Sequence, residues 1–158
     1  MEGIDMVTEK DVENAQKAWG EGIVTIATAH TAGMDYIGIA RNHIESLYAY
    51  NRGTVLFKPT LASEKQFRPT FEGALSYFVA SNGACSEDNG FAIKGWTNVR
   101  FENEAISING STALAMGNYF FMTPDGDELK VEFTFVYVED TSGNLRIHLH
   151  HSSMPSRD

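Results

Sequence analysis

The chain has 158 residues and a formal net charge of -9, from 21 acidic against 12 basic side chains. That length fits one domain with a sizeable core, and the negative balance repels phosphate backbones and anionic membranes, which argues against nucleic acid or a membrane as partner. A lone cysteine, Cys85, rules out an internal disulfide and a multi-thiolate zinc site. No run approaches the roughly 20 apolar residues a membrane helix needs, and the start, Met1-Glu-Gly-Ile-Asp5, lacks the order of a secretory signal. We read residues 1–7 as a linker or remnant and 8–158 as one soluble domain, with a targeting segment upstream in a longer parent left open.

Thr8 with Glu9 and Asp11 behind it suits a helix N-terminus, and Val12, Ala15, Trp19, Ile23, Ile26 and His30 follow at spacings of three and four. This pattern predicts one long amphipathic helix. Gly20 and Gly22 cost it up to about 1 kcal/mol each against alanine, so they mark a close contact or a bend, and Gly33 is the expected C-terminal cap. Asp35 caps a second helix running to about Leu47, with Ala40, Ile44 and Leu47 inward, and Asn51-Arg-Gly53 turns the chain. Thr54–Lys58 is β-branched and aromatic enough for a strand, which Pro59 ends. Thr60 opens a loop over 61–69, and Thr70 caps a short helix carrying Phe71, Ala74, Leu75 and Phe78, with Tyr77 on or beside its buried face.

From Gly90 onward the chain reads as strand, over roughly 91–103, 105–109, 111–122, 129–139 and 144–153. Asn109-Gly110, Pro124-Asp-Gly126 and Thr141-Ser-Gly143 are the turns between the longer runs. Helices first and an antiparallel meander after predict an α+β domain in which a strongly bent sheet wraps the long helix. Phe133, Phe135 and Tyr137 form an aromatic face beside the last strand. A cavity between that face and the helices would be greasy, with polar groups at one end only.

The last strand supplies those polar groups. Leu145, Ile147 and Leu149 alternate with Arg146, His148 and His150, a period of two with the odd positions on the core. Continuing it turns His151 and Ser153 inward, where an unpartnered imidazole or hydroxyl costs on the order of 1–3 kcal/mol unless it lines a cavity. A bulge in the strand would substitute Ser152 for Ser153. His148 and His150 then share the outer face with Arg146, a geometry that suits one metal ion but shows no third ligand.

The arrangement resembles the cone-shaped fold of the nuclear transport factor 2 superfamily. Within it, Leu56-Phe-Lys-Pro-Thr-Leu61, Ser76-Tyr-Phe78, Gly117-Asn-Tyr119, Phe133-Thr-Phe-Val-Tyr137 and above all His150-His-Ser-Ser-Met-Pro155 resemble the iota-class carbonic anhydrases of algae, diatoms and bacteria. The resemblance implies interconversion of carbon dioxide and bicarbonate, without a metal in at least some members and with manganese or zinc proposed for others. It implies a site of Thr60, Tyr77 and a terminal serine, Ser153 or Ser152, with His151 as proton relay. Walls would come from Phe57, Phe78, Phe133, Phe135 and Tyr137, and the family also makes a chloroplast address conceivable if a leader precedes the chain.

Hydroxyls can orient water and donate to charge growing on carbon dioxide oxygens, but a phenol of pKa near 10 needs help to act as a base. Three alternatives stand beside this reading: a metal-dependent hydratase on the His148/His150 pair, an isomerase or dehydratase of the same fold, and a non-catalytic hub. The hub would be like the calcium/calmodulin-dependent protein kinase II association domain. An isomerase or dehydratase needs an inward carboxylate, and Glu45, Glu64 and Glu132 fall on surface positions. A mixed outer sheet face including Val136 and Val138 predicts a homodimer.

Overall fold

The computed structural model describes residues 6–157. Helix α1 spans Glu9–Thr31. The Thr8 hydroxyl accepts from the Asp11 N–H at 3.1 Å while the Asp11 carboxylate accepts from the Thr8 N–H at 2.9 Å, a reciprocal cap. Its two inner glycines mark close approaches: a Cβ on Gly20 would meet the Val99 carbonyl at 3.1 Å, and one on Gly22 would meet His43 Nδ1 at 2.1 Å. Helix α2, Tyr36–Leu47, is capped by the Asp35 side chain on the Gly38 N–H, and α3, Phe71–Val79, by the Thr70 hydroxyl on the Gly73 N–H.

The sheet contains β1 (Leu56–Lys58), β2 (Asn98–Asn109), β3 (Thr112–Met122), β4 (Glu128–Glu139) and β5 (Leu145–Ser153), in the order β1-β5-β4-β3-β2. The last four form the expected antiparallel meander. β1 adds a parallel edge, with Phe57 opposite His150 and Lys58 opposite His151. This pairing brings the segment after β1 beside the C-terminal end of β5.

Two sequence expectations change here. Residues 91–97 are not strand: Gly90 and Gly95 adopt φ of +85° and +83°, so Phe91–Ile93 makes a 3-10 turn and Phe91 and Trp96 fold into the core. The expected strands 91–103 and 105–109 are one strand, β2, with a register slip between Asn103 and Ala105. Opposite that slip a Cβ on Gly117 would lie 2.1 Å from the Glu102 carbonyl oxygen, so the strands pack there at glycine distance.

The core is almost wholly aromatic. Trp19 of α1 reaches Phe78, Tyr119, Phe121, Phe135 and His150 at ring-centroid distances of 5.5–6.4 Å. Phe133, Phe135 and Tyr137 are buried and follow one another at 5.5 and 5.4 Å. Instead of walling an open chamber they close on other rings, because His150 fills the space between Phe57, at 4.8 Å, and Phe135, at 4.2 Å. Phe78 belongs to the same packing, stacked on Phe57 at 5.8 Å.

Candidate active site

A bulge in β5 decides which side chains enter the core. Val136 pairs with Leu149 but Tyr137 pairs with Ile147, leaving His148 unopposed. One extra residue exchanges the two faces downstream of it. His150 and Ser152 are consequently buried, 2% and 1% exposed, whereas His151 is exposed. Ser153 donates to Glu132 at 2.7 Å on the outer side. The simple alternation that sends His151 and Ser153 inward therefore holds only as far as Ile147. The same bulge separates the expected histidine pair, with His148 exposed and His150 in the core. Among the described residues no group of three or more His, Cys, Asp or Glu side chains converges.

The site is built where β1, β3, β5 and α3 meet. Leaving β1, the chain sets the Thr60 hydroxyl 2.6 Å from that of Ser152. Tyr119 of β3 donates its phenol proton to the same serine at 2.5 Å. From α3, the Tyr77 oxygen accepts the Leu61 N–H at 3.1 Å, while its ring lies on Phe91 at 5.7 Å. Lys58 joins the two chain ends, donating to the Ser152 carbonyl at 2.9 Å and the Thr60 carbonyl at 3.4 Å. Burial pushes the Tyr77 phenol up to about 12, so it is protonated at neutral pH and has a hydrogen to donate. His151, expected as a relay, lies on the exposed face of β5 and not among these hydrogen bonds.

The loop over 61–69 is held by charge. Glu87 accepts the N–H groups of Ser63, Glu64 and Lys65 at 2.9, 3.0 and 2.7 Å, which holds its carboxyl down to about 2. Buried Arg68 forms a two-pronged pair with Asp88 at 2.7 and 2.8 Å, and Ser76 donates to the same carboxylate at 2.5 Å. These bonds tie the chain after Thr60 to the segment over α3. Between them a cavity of about 60 Å³ opens, lined by Leu61, Tyr77, Asp88, Phe91 and Lys94 among others. It is far smaller than the expected chamber, and on the scale of a few light atoms.

Of the residues singled out in the sequence, Thr60, Tyr77 and Ser152 come together, with Phe57 and Phe78 packed behind them. Ser153 and His151 lie outside. Glu45 and Glu64 are exposed, and Glu132 is spent on Ser153. Sequence reasoning passed over Tyr119 and His150 as members of the cluster. The signal for Tyr119 was its strand position, two residues after Gly117, on the buried side of β3. His150 carried no signal without the bulge.

The chain is similar to known proteins over almost its whole length. The family model for metal-independent carbonic anhydrase matches residues 10–154. A metal-independent carbonic anhydrase from a Nostoc species is 45% identical over 152 residues, covering 94% of this chain and 74% of that protein. The crystal structure of an iota-carbonic anhydrase from a cyanobacterium, complexed with bicarbonate, superposes with a TM-score of 0.95 at 42% identity, covering 100% of this chain and 99% of the other. More distant structures share the fold alone. They include a putative calcium/calmodulin-dependent protein kinase II association domain from Xanthomonas campestris, at TM-score 0.65 and 18% identity over 100% of this chain and 99% of that one. Another is a putative dehydratase of the NTF2-like family from Streptomyces avermitilis, at 0.59 and 15% over 94% and 96%. The architecture is that of the NTF2-like proteins. This chain belongs to the metal-independent carbonic anhydrase family.

Proposed function

We propose that this chain interconverts carbon dioxide and bicarbonate at the cluster of Thr60, Tyr77, Tyr119 and Ser152, using hydroxyl groups in place of a metal. The observation that carries the assignment is the meeting of four hydroxyls from four elements, with spacings of 2.5–2.6 Å among three of them, at the one polar end of an aromatic core. Hydration adds water to carbon dioxide and releases a proton, and charge grows on the carbon dioxide oxygens as the new bond forms. Fixed donors aimed at that charge lower the barrier because they need no reorientation in a water-poor site. Tyr77, which lines the cavity, and Thr60, one residue before the Leu61 whose N–H Tyr77 accepts, are the donors, and Ser152 and Tyr119 hold Thr60 in place. The small cavity bounded by Tyr77 and Leu61 fits a three-atom gas and one water.

Stopped-flow hydration by the purified chain, with and without a strong chelator, tests this. Chelator-resistant activity that falls at least about tenfold in Tyr77→Phe is expected. No hydration in either buffer would favour a hub, and activity seen only with added zinc or manganese would overturn the metal-free mechanism.

The chain works as a homodimer on this reading. Leu114, Val136, Leu149 and Leu56 lie opposite one another in register, an apolar row across four strands of the outer sheet face. Leu114, Leu56 and nearby Phe67 are 42%, 57% and 67% exposed, and a groove of about 500 Å³ runs beside Leu56, Phe67 and Pro69. A second copy covers this row without ordering new chain. Sedimentation should give twice the chain mass, with Leu114→Lys shifting it to monomer; a monomeric parent chain refutes the assignment.

A further inference from the structure

Behind the hydroxyl cluster runs an unbroken line of polar atoms. Trp19 Nε1, Tyr48 OH, the two nitrogens of His150, Tyr119 OH, Ser152 Oγ and Thr60 Oγ1 follow one another at 3.0, 2.9, 3.0, 2.5 and 2.6 Å. Trp19, Tyr48, His150, Tyr119 and Ser152 are all 2% exposed or less, so each proton has to be used within the line.

The direction of every bond follows from counting protons. A phenol or alcohol has one hydrogen to give, a neutral imidazole one, and an indole N–H donates only. Tyr119 spends its hydrogen on Ser152. His150 Nε2 must therefore carry a hydrogen and donate it to Tyr119. Burial with no carboxylate partner keeps the imidazole neutral, its pKa well below the ordinary value, so Nδ1 is bare and accepts from Tyr48. A free lone pair of Tyr48 then takes the indole N–H of Trp19. At the other end Ser152, already an acceptor and buried, has only Thr60 to donate to. Every link points the same way.

We propose that Trp19 and Tyr48 are positioning residues that, through His150 held as its Nε2–H tautomer, orient the Tyr119 and Ser152 hydroxyls toward Thr60 and leave the Thr60 proton for a carbon dioxide or bicarbonate oxygen. The role rests on the carbonic anhydrase reading above. Hydrogen bonds in series polarise one another by about 10–30% per link, so a one-way line strengthens its last donor, the group facing the growing charge. The same polarity bars His150 from taking the proton of the attacking water. Nε2 is occupied and Nδ1 faces Tyr48, so the proton released by hydration leaves toward solvent and not into the core.

The tautomer is directly measurable. In full-length chain labelled with nitrogen-15 histidine, long-range proton–nitrogen correlations at neutral pH should show the His150 ring neutral with Nε2 protonated. It is assigned by its loss in His150→Gln or, if that variant does not fold, by replacing His30, His43, His148 and His151 singly. An Nδ1–H or doubly protonated His150 overturns the proposal whatever the activity. Tyr48→Phe removes one oxygen far down the line; with an unchanged circular dichroism spectrum it should lower kcat about threefold and leave KM nearly constant. Unchanged kcat in that folded variant overturns the positioning role. An Nε2–H ring in a preparation that hydrates no carbon dioxide would instead sink the catalytic reading while the bond directions stand, so the two failures are distinguishable.

Discussion

Replacing Ser152 and Ser153 separately by alanine tests the site at its least obvious point. Ser152→Ala removes the acceptor of the Tyr119 phenol, which lies 2.5 Å away and is 1% exposed. A buried hydroxyl left without a partner costs about 1–3 kcal/mol. For a chain of this length each kcal/mol lowers Tm by about 2–4 °C, so the expected fall is roughly 2 to 12 °C. Hydration should drop at least about tenfold, because Thr60 loses its anchor along with the serine. Ser153→Ala removes only a surface bond to Glu132, worth within about 0.5 kcal/mol, and should leave both Tm and rate close to those of the parent. Differential scanning calorimetry and stopped-flow on the pair make the comparison. Equal losses in the two variants, or a larger loss at Ser153, would refute the bulged register on which the site depends.

Other consequences are equally open to measurement. Because Glu87 is held at about 2 when folded, below the ordinary value near 4.3, the unfolded chain binds the extra proton as pH falls. Its contribution is therefore complete above about pH 5 and is lost toward pH 2, so urea unfolding should separate the parent chain from Glu87→Gln at pH 6 and bring them together near pH 2. A gap that stays constant with pH would show that the carboxylate clamp is not the cause. Gly117→Ala would put a methyl group 2.1 Å from the Glu102 carbonyl, an atom of backbone that cannot step aside, and should destabilise by at least the upper part of the usual overpacking range of about 1–3 kcal/mol. Thermal unfolding of that variant checks it, and a loss below about 1 kcal/mol would mean that the strands can separate there at little cost.

The helices were legible because their starts carry side-chain caps and their faces a period near 3.6. Thr8, Asp35 and Thr70 all cap where their neighbours suggest. The meander was legible from its glycine turns, and Thr60 and Tyr77 from the resemblance of their local segments. What failed was phase. Nothing local in Leu145–Ser153 shows that His148 stands outside the ladder, since that bulge is fixed by the pairing of a distant strand. The aromatic positions were identified correctly as core, but no pattern of residue types reveals that an imidazole fills the space they enclose. Glycine likewise read as strand interior at 90–97, where two left-handed backbone angles in fact fold the chain inward.

The irregularity in β5 also sets a condition for moving this chemistry to another scaffold. Upstream of it the strand aims one parity of positions at the interior, and downstream the other. Copying the terminal side chains onto a regular ladder would transplant the letters without the frame, and the alcohol meant for the gas would emerge in bulk solvent. A graft has to carry the skipped histidine position with it, as a spacer whose identity matters less than its presence.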